Sequence, residues 1–192
     1  DLFYYIYGIL HSEDYRTGYA NNLMKELPRI PRVATYEQFM AFVEAGQELA
    51  RLHVHFEDVE LYTGVKIEFT KIGQPSYRVT QMKWGKIKGK TGNAAKDKTT
   101  LIYNDWITVK NIPLEAQEYV VNKKSALDWV VERACVSIDK VSDIVNDFND
   151  YAADMGSERY PLDLFLKVIT VSLQTMEIVK GLPKLEIHPL DK

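Results

Sequence analysis

The chain has one cysteine, Cys135. A single thiol excludes an internal disulfide framework and a cysteine-based zinc site, and it fits a reducing, cytoplasmic setting. Long apolar runs are missing too. No stretch reaches the roughly 18–20 residues that a membrane span needs. The opening "DLFYYIYGIL" is apolar but short, and it has neither a basic leader nor a small-residue cleavage site, so it does not read as a signal peptide. No membrane partner is expected. Net charge is only -3 over 192 residues, which excludes a polyanion binder acting through its whole surface. Gly-x-Ser-x-Gly, Gly-x-Gly-x-x-Gly and Asp-Pro-Pro-Tyr types of motif do not occur, so the chain is read as non-catalytic with no cofactor of its own. It opens without Met and inside an apolar run, and is therefore expected to be a piece of a longer polypeptide.

With 46% apolar residues, the chain can bury a core. The pattern predicts α+β: helical layers flanking a small antiparallel β-sheet that carries a basic insert. Residues 1–56 read as a helical layer. Leu2 to Leu10 is apolar on all sides and is expected to be a buried helix. Ser12, followed by Glu13 and Asp14, starts a second helix through "YRTGYANNLMKEL", ended by Pro28 and Pro31. Thr35 caps a third, "YEQFMAFVEAGQELARLHVHF". Residues 57–112 change texture: "VKIEFTKI", "SYRVTQMKW", "TTLIYN" and "WITVKNI" are strand-like. Residues 113–192 return to helix. Ser125 and Asp128 have capping-box spacing before "ALDWVVERACV", "SDIVNDFNDYAADMGSERYP" reads as a loop, and Pro161 to Val179 is an apolar helix stopped by Gly181 and Pro183.

Charge is concentrated in the strands. Lys66 to Tyr103 holds nine basic residues and two acidic ones, +7 in a chain of -3, leaving -10 elsewhere. Its centre, "KWGKIKGKTGN", resembles a phosphate-binding loop one residue short, with three residues instead of four between Gly85 and Gly89-Lys90-Thr91. It follows a half-exposed strand and returns to strand, which argues against that loop. A solvated charged loop remains open. The sharper reading is a two-stranded ribbon or loop laid against double-stranded DNA. Lys83, Lys86, Lys88, Lys90, Lys96 and Lys98 are then the phosphate contacts, and Arg78, Gln81, Asn93 and Asn104 the base-reading candidates. Trp84 and Trp106 are expected to pack the sheet.

Other clusters read blandly. His53 and His55, two apart near a helix end, have poor metal spacing. Glu57, Asp58 and Glu60 read as a solvated turn. Asp143, Asn146, Asp147, Asn149 and Asp150 lack the glycine and glutamate register of a calcium loop. Cys135 is expected to be a small buried apolar group. No metal site is expected.

The run "YYIYGILHSEDYRTGYANNLMKELPRIP" resembles the C-terminal part of large single-chain restriction–modification proteins of the type ISP class. "EAGQELARLHVHFE", "DKTTLIYNDWITVKNIP", "YVVNKKSALDWVVERA" and "RYPLDLFLKVITVSLQTMEIVKGLP" agree in the expected order. "NDFNDYA" departs, with Phe148 where the family has a Pro. The resemblance implies a target-recognition domain that sets which DNA sequence is methylated or cut. It also implies a parent chain with nuclease, helicase-like ATPase and adenine methyltransferase domains, using S-adenosylmethionine, ATP and Mg. Those methyltransferase and helicase domains would be intramolecular partners. A rival reading is a protein-docking module in the same enzyme, without direct DNA contact. A second rival is a small nuclease or methyltransferase.

Overall fold

A computed structural model describes residues 1–88 and 94–189, with Lys88 and Ala94 placed by their backbone alone. The architecture is α+β. The three expected stretches pack as two units: Asp1–Phe56 with Gln174–Lys192, and Glu57–Leu173. The expected boundary between 112 and 113 has no counterpart, because residues from both sides share one core.

In the first unit, α1 (Leu2–His11) lies against α4 (Tyr36–Val54). Two glycines set their approach. A Cβ on Gly8 would sit 2.3 Å from the Phe42 carbonyl oxygen, and one on Gly46 only 1.9 Å from that of Tyr4. Backbone meets backbone at these points, so only glycine fits. Tyr5, Gly8 and Ile9 form the buried stripe of α1. The expected burial on all sides does not hold, since Leu2 and Phe3 are exposed. Buried Ser12 caps α2 (Glu13–Gly18) and Thr35 caps α4, as their positions predict. The expected single second helix is broken after Gly18, a poor helix former, and α3 (Ala20–Leu23) is a separate turn. Tyr5 Oη donates to the Pro31 carbonyl and accepts from the Val33 N–H, which ties down the proline-rich return.

The second unit is built on an antiparallel sheet of β1 (Lys66–Phe69), β2 (Lys83–Lys88), β3 (Ala94–Ile102) and β4 (Ile107–Lys110), in the order β1-β4-β3-β2. Trp84, Leu101, Ile107 and Val109 point into its core. On α7 (Tyr160–Lys180), Leu162, Phe165, Leu166 and Ile169 recur at helical spacing and join that core. Short hairpins follow the sheet: β5 (Val120–Val121) with β6 (Lys124–Ser125), then, after α5 (Ala126–Arg133), β7 (Val136–Ile138) with β8 (Val145–Asp147). Ser125 accepts from the Asp128 N–H and caps α5. The Asp128 carboxylate does not complete the capping box by reaching back to the Ser125 N–H; it bonds to Trp84 and Lys98.

Two expectations fail here for one physical reason. Residues 76–82 are not a strand, and residues 145–154 are not a loop but β8 and α6 (Phe148–Asp154). Asparagine side chains replace a strand partner along 76–82. Asn149 accepts from the Val79 N–H at 2.9 Å and donates to its carbonyl at 2.7 Å. Asn104 donates to the carbonyls of Ser76 and Arg78. Asp147, read from composition as a turn former, caps α6 instead.

Candidate nucleic-acid interface

Lys83, Lys86 and Lys88 lie on β2, and Lys96 and Lys98 on β3, rather than in a turn or loop. β2 and β3 pair as Lys83↔Ile102 and Trp84↔Leu101, then jump to Gly85↔Asp97 and Lys86↔Lys96. Residues 98–100 are thereby left without partners on β2. The bulge is held from several sides. Asp97 accepts from the Thr99 N–H and hydroxyl at 3.0 and 2.6 Å, and the Thr99 carbonyl accepts from the Ile112 N–H. Gly85 fits because a Cβ there would meet the Thr100 side chain at 3.0 Å. The Gly85 needed for a phosphate loop therefore lies inside a strand, and the next described element is also a strand.

Beyond the bulge the two strands pair only with each other, since β4 joins β3 at Leu101 and Ile102 alone. Lys86 and Lys96 stand directly opposite on this two-stranded ribbon, both exposed, and among the described residues neither makes an ion pair. Like charges directly opposite on an antiparallel pair destabilise it. The body of the same sheet handles the same problem differently. Lys66 and Lys110 are also directly opposite. Glu68 bridges them, at 2.8 Å to Lys66 and 2.7 Å to Lys110. The hydrogen bonds from Lys110 and Lys66 hold the Glu68 carboxyl at about 2. The carboxylate on the ribbon, Asp97, is turned to the Thr99 N–H and hydroxyl, and no described carboxylate bridges Lys86 and Lys96.

The remaining candidates separate by how they are engaged. Lys83 is exposed on β2. Lys88 pairs with Ala94 at the last described step of the ribbon. Lys90 and Asn93 lie outside the described residues. Lys98 is committed inward: it is paired to Asp128, both only about a quarter exposed (25% and 22%), with its ammonium 4.5 Å from the centre of the Trp84 ring. Burial raises the Asp128 carboxyl, but hydrogen bonds from Lys98 and Trp84 outweigh it and leave it below its usual value. Lys98 fastens the ribbon's base to the start of α5 and has little charge left for a phosphate. Asn104 is corrected outright. Its amide donates twice, and its oxygen accepts from the N–H groups of Trp106 and Ile107, both at 2.8 Å. It closes the β3–β4 turn and keeps no donor or acceptor for a base. Gln81 is exposed and makes a lone bridge to Cys135. Arg78 is exposed and ion-paired to Asp147. Trp84 is buried, and Trp106 packs against the core. Asp147, which composition alone assigned to a loop, holds the Arg78 guanidinium, and Asn149 holds Asp147 and the neighbouring Val79 backbone; the two-residue Asx spacing was the signal.

Among the described residues, no group of three or more metal-ligating side chains comes together. In the first unit, His53 is spent on Tyr7 and Thr175, through Nδ1 and Nε2 respectively. No described helix is long and apolar enough to cross a membrane.

Fold and surface together define an α+β module with an unneutralised basic ribbon. The chain belongs to the Type ISP C-terminal specificity domain family, whose model matches residues 1–164. Three solved structures are similar. A nuclease-deletion mutant of the Type ISP restriction-modification enzyme LlaGI, in complex with a DNA substrate mimic, is 41% identical with a TM-score of 0.81, over 97% of this chain and 16% of that one. The ATP-dependent Type ISP restriction-modification enzyme LlaBIII, bound to DNA, is 37% identical with a TM-score of 0.83, over 98% and 12%. DrdV, in a complex with DNA, is 31% identical with a TM-score of 0.74, over 95% and 18%. The chain thus spans less than a fifth of each of these longer chains. A search of the curated proteins found no match.

Proposed function

We propose that this chain is the target-recognition module of a Type ISP restriction–modification enzyme and that it grips double-stranded DNA through the β2–β3 ribbon. One observation carries this reading: Lys86 faces Lys96 with no described carboxylate bridging them, on a ribbon with no other described partner strand. Such a pair costs stability in the free protein and is relieved by a polyanion. A two-stranded ribbon fits the major groove. Lys83, Lys86, Lys88 and Lys96 serve as phosphate contacts. The module itself is non-catalytic, and its parent supplies the methyltransferase and ATPase chemistry with S-adenosylmethionine, ATP and Mg. Fluorescence anisotropy with a mixed-sequence duplex at several salt concentrations tests this. Each paired phosphate adds about 0.9 to the log–log slope, so Lys86→Ala with Lys96→Ala lowers the slope by nearly two. An unchanged slope and affinity in that variant defeats the reading.

A second reading has its own observation. In the first unit, Phe3, Tyr4, Tyr7, Ala50 and Val54 line an open groove, with Phe3 and Val54 exposed. An apolar groove of this kind fits docking to a protein neighbour such as the methyltransferase domain. If the chain binds no duplex even at low salt, docking becomes the leading function.

A further inference from the structure

Arg78 differs from Lys86 and Lys96 in how it is held. Its backbone lies in the irregular stretch 76–82, which two asparagines fix from opposite ends: Asn104 donates to the Arg78 carbonyl at 3.0 Å, and Asn149 takes both backbone groups of Val79. Its guanidinium is bonded through one terminal nitrogen to Asp147, which is itself fixed. Asp147 accepts from the Asn149 N–H and side-chain amide, caps α6, and is only 12% exposed on its side chain. Hydrogen bonds from Asn149, aided by Arg78, hold the Asp147 carboxyl below its usual range, so it stays a charged acceptor. The Arg78 side chain remains 59% exposed, and no other described group bonds to its guanidinium.

Resting on the DNA-binding reading above, we infer that Arg78 is a base-reading arginine, buttressed by Asp147, that specifies guanine in the major groove. Three physical points support this. The Arg78–Asp147 pair is neutral overall, so it adds almost nothing to attraction for phosphates. A carboxylate beside a phosphate contact would only weaken it. A guanidinium anchored at one terminal nitrogen still offers its other N–H groups, and guanine O6 and N7 are two acceptors on one edge that match the guanidinium fork. Reach is adequate. Arg78 is eight residues from Lys86, at most about 29 Å of extended chain, within one duplex turn of about 34 Å. Lys86 and Lys96, which have no described ion pair, suit phosphates. Arg78, held at its carbonyl by Asn104 and at its guanidinium by Asp147, suits a base.

The test selects bound sequences from a pool of short duplexes with a randomised centre, using this chain and its Arg78→Ala, Arg78→Lys and Asp147→Asn variants, with thermal melts alongside. The wild type is expected to enrich guanine at one position by about 5- to 150-fold over other bases. Arg78→Ala and Arg78→Lys should flatten that position while leaving the rest of the profile and the melting temperature close to wild type. Arg78→Lys keeps the charge and so also keeps the salt slope. Asp147→Asn, which still caps α6, should relax the guanine preference while average affinity for the pool holds or rises, because a negative charge is gone. A purely structural role for the pair would lower affinity and melting temperature together. If the wild type binds duplex without guanine enrichment, or the Arg78 variants keep it, the inference is wrong and the ribbon reading survives. If the wild type binds no duplex, both fall.

Discussion

At the scale of single residues, the same side-chain type does opposite jobs according to its partner. Lys98 and Lys96 are two apart on β3, yet one is fixed to Asp128 and the other faces Lys86. Lys96→Glu should therefore move stability and binding in opposite directions. It creates a cross-strand ion pair worth about 0.2–1 kcal/mol, raising the urea midpoint, and it removes a proposed phosphate contact and places a negative charge there, lowering duplex affinity in anisotropy. A variant that loses both would show that Lys96 is structural. Asn104→Ala should lose stability alone. It leaves the N–H groups of Trp106 and Ile107 and two carbonyls without partners, a cost of about 1–3 kcal/mol in urea unfolding, with little change in the salt slope of whatever still folds. None of this separation was legible in the sequence. Asn, Gln and Arg near a basic strand are equally good base readers on paper, and only coordinates reveal that the four hydrogen-bonding positions of Asn104 are already filled.

At the scale of elements, what the sequence conveyed well was local. The caps at Ser12, Thr35 and Ser125 depend on three-residue spacing, and all three accept the N–H their position predicts. An antiparallel sheet, its strands β1 and β4 and the stop after Lys180 were also readable from alternation and punctuation, but most of β2 and the first half of β3 fall where a turn or loop was expected. What failed was long-range. Residues 76–82 alternate like a strand, but their partners are the side chains of Asn104 and Asn149, the latter 70 positions from Val79. No local pattern encodes that. The α1–α4 crossing has the same character, because Gly8 and Gly46 look like weak helix formers until the facing backbone is known. Gly46→Ala should force the helices apart against the Tyr4 carbonyl, costing about 1–3 kcal/mol and tending to the upper figure because backbone must move. A drop in the far-ultraviolet circular dichroism melt would register it. A neutral result would mean that the two helices can separate freely.

At the scale of the whole molecule, pH should act in two stages. Burial and the neighbouring His11 hold His53 down at about 4, and burial lowers His11 as well, opposed by its bond to the Tyr7 carbonyl. A depressed histidine is neutral in the folded chain while the unfolded chain takes up a proton. Its stabilising contribution is therefore full above the ordinary value of 6.5 and is lost as pH falls toward 4. Depressed carboxyls follow. Glu68, Asp128 and Asp147 favour the fold above their ordinary values of 4.5, 3.8 and 3.8, and lose that contribution below them. Urea midpoints measured from pH 7 to pH 3 should fall first across the histidine range and again below about 4. His53→Gln should abolish most of the first fall and leave the second. A single descent confined to the carboxyl range would place both histidines outside the folding equilibrium.

The lysine pair on the ribbon also has a consequence for how its grip is measured. Salt that screens Lys86 from Lys96 draws the two strands together, because the Debye length shrinks from about 10 Å at 0.1 M to about 3 Å at 1 M. In the proposed complex with DNA, tightening that pairing is part of the work, so it becomes easier just as counterion release becomes less favourable. The two trends oppose each other. The measured salt slope will therefore undercount the phosphates touched, and backbone amides of residues 86 and 96 in the unliganded chain should exchange their hydrogens more slowly as salt is added.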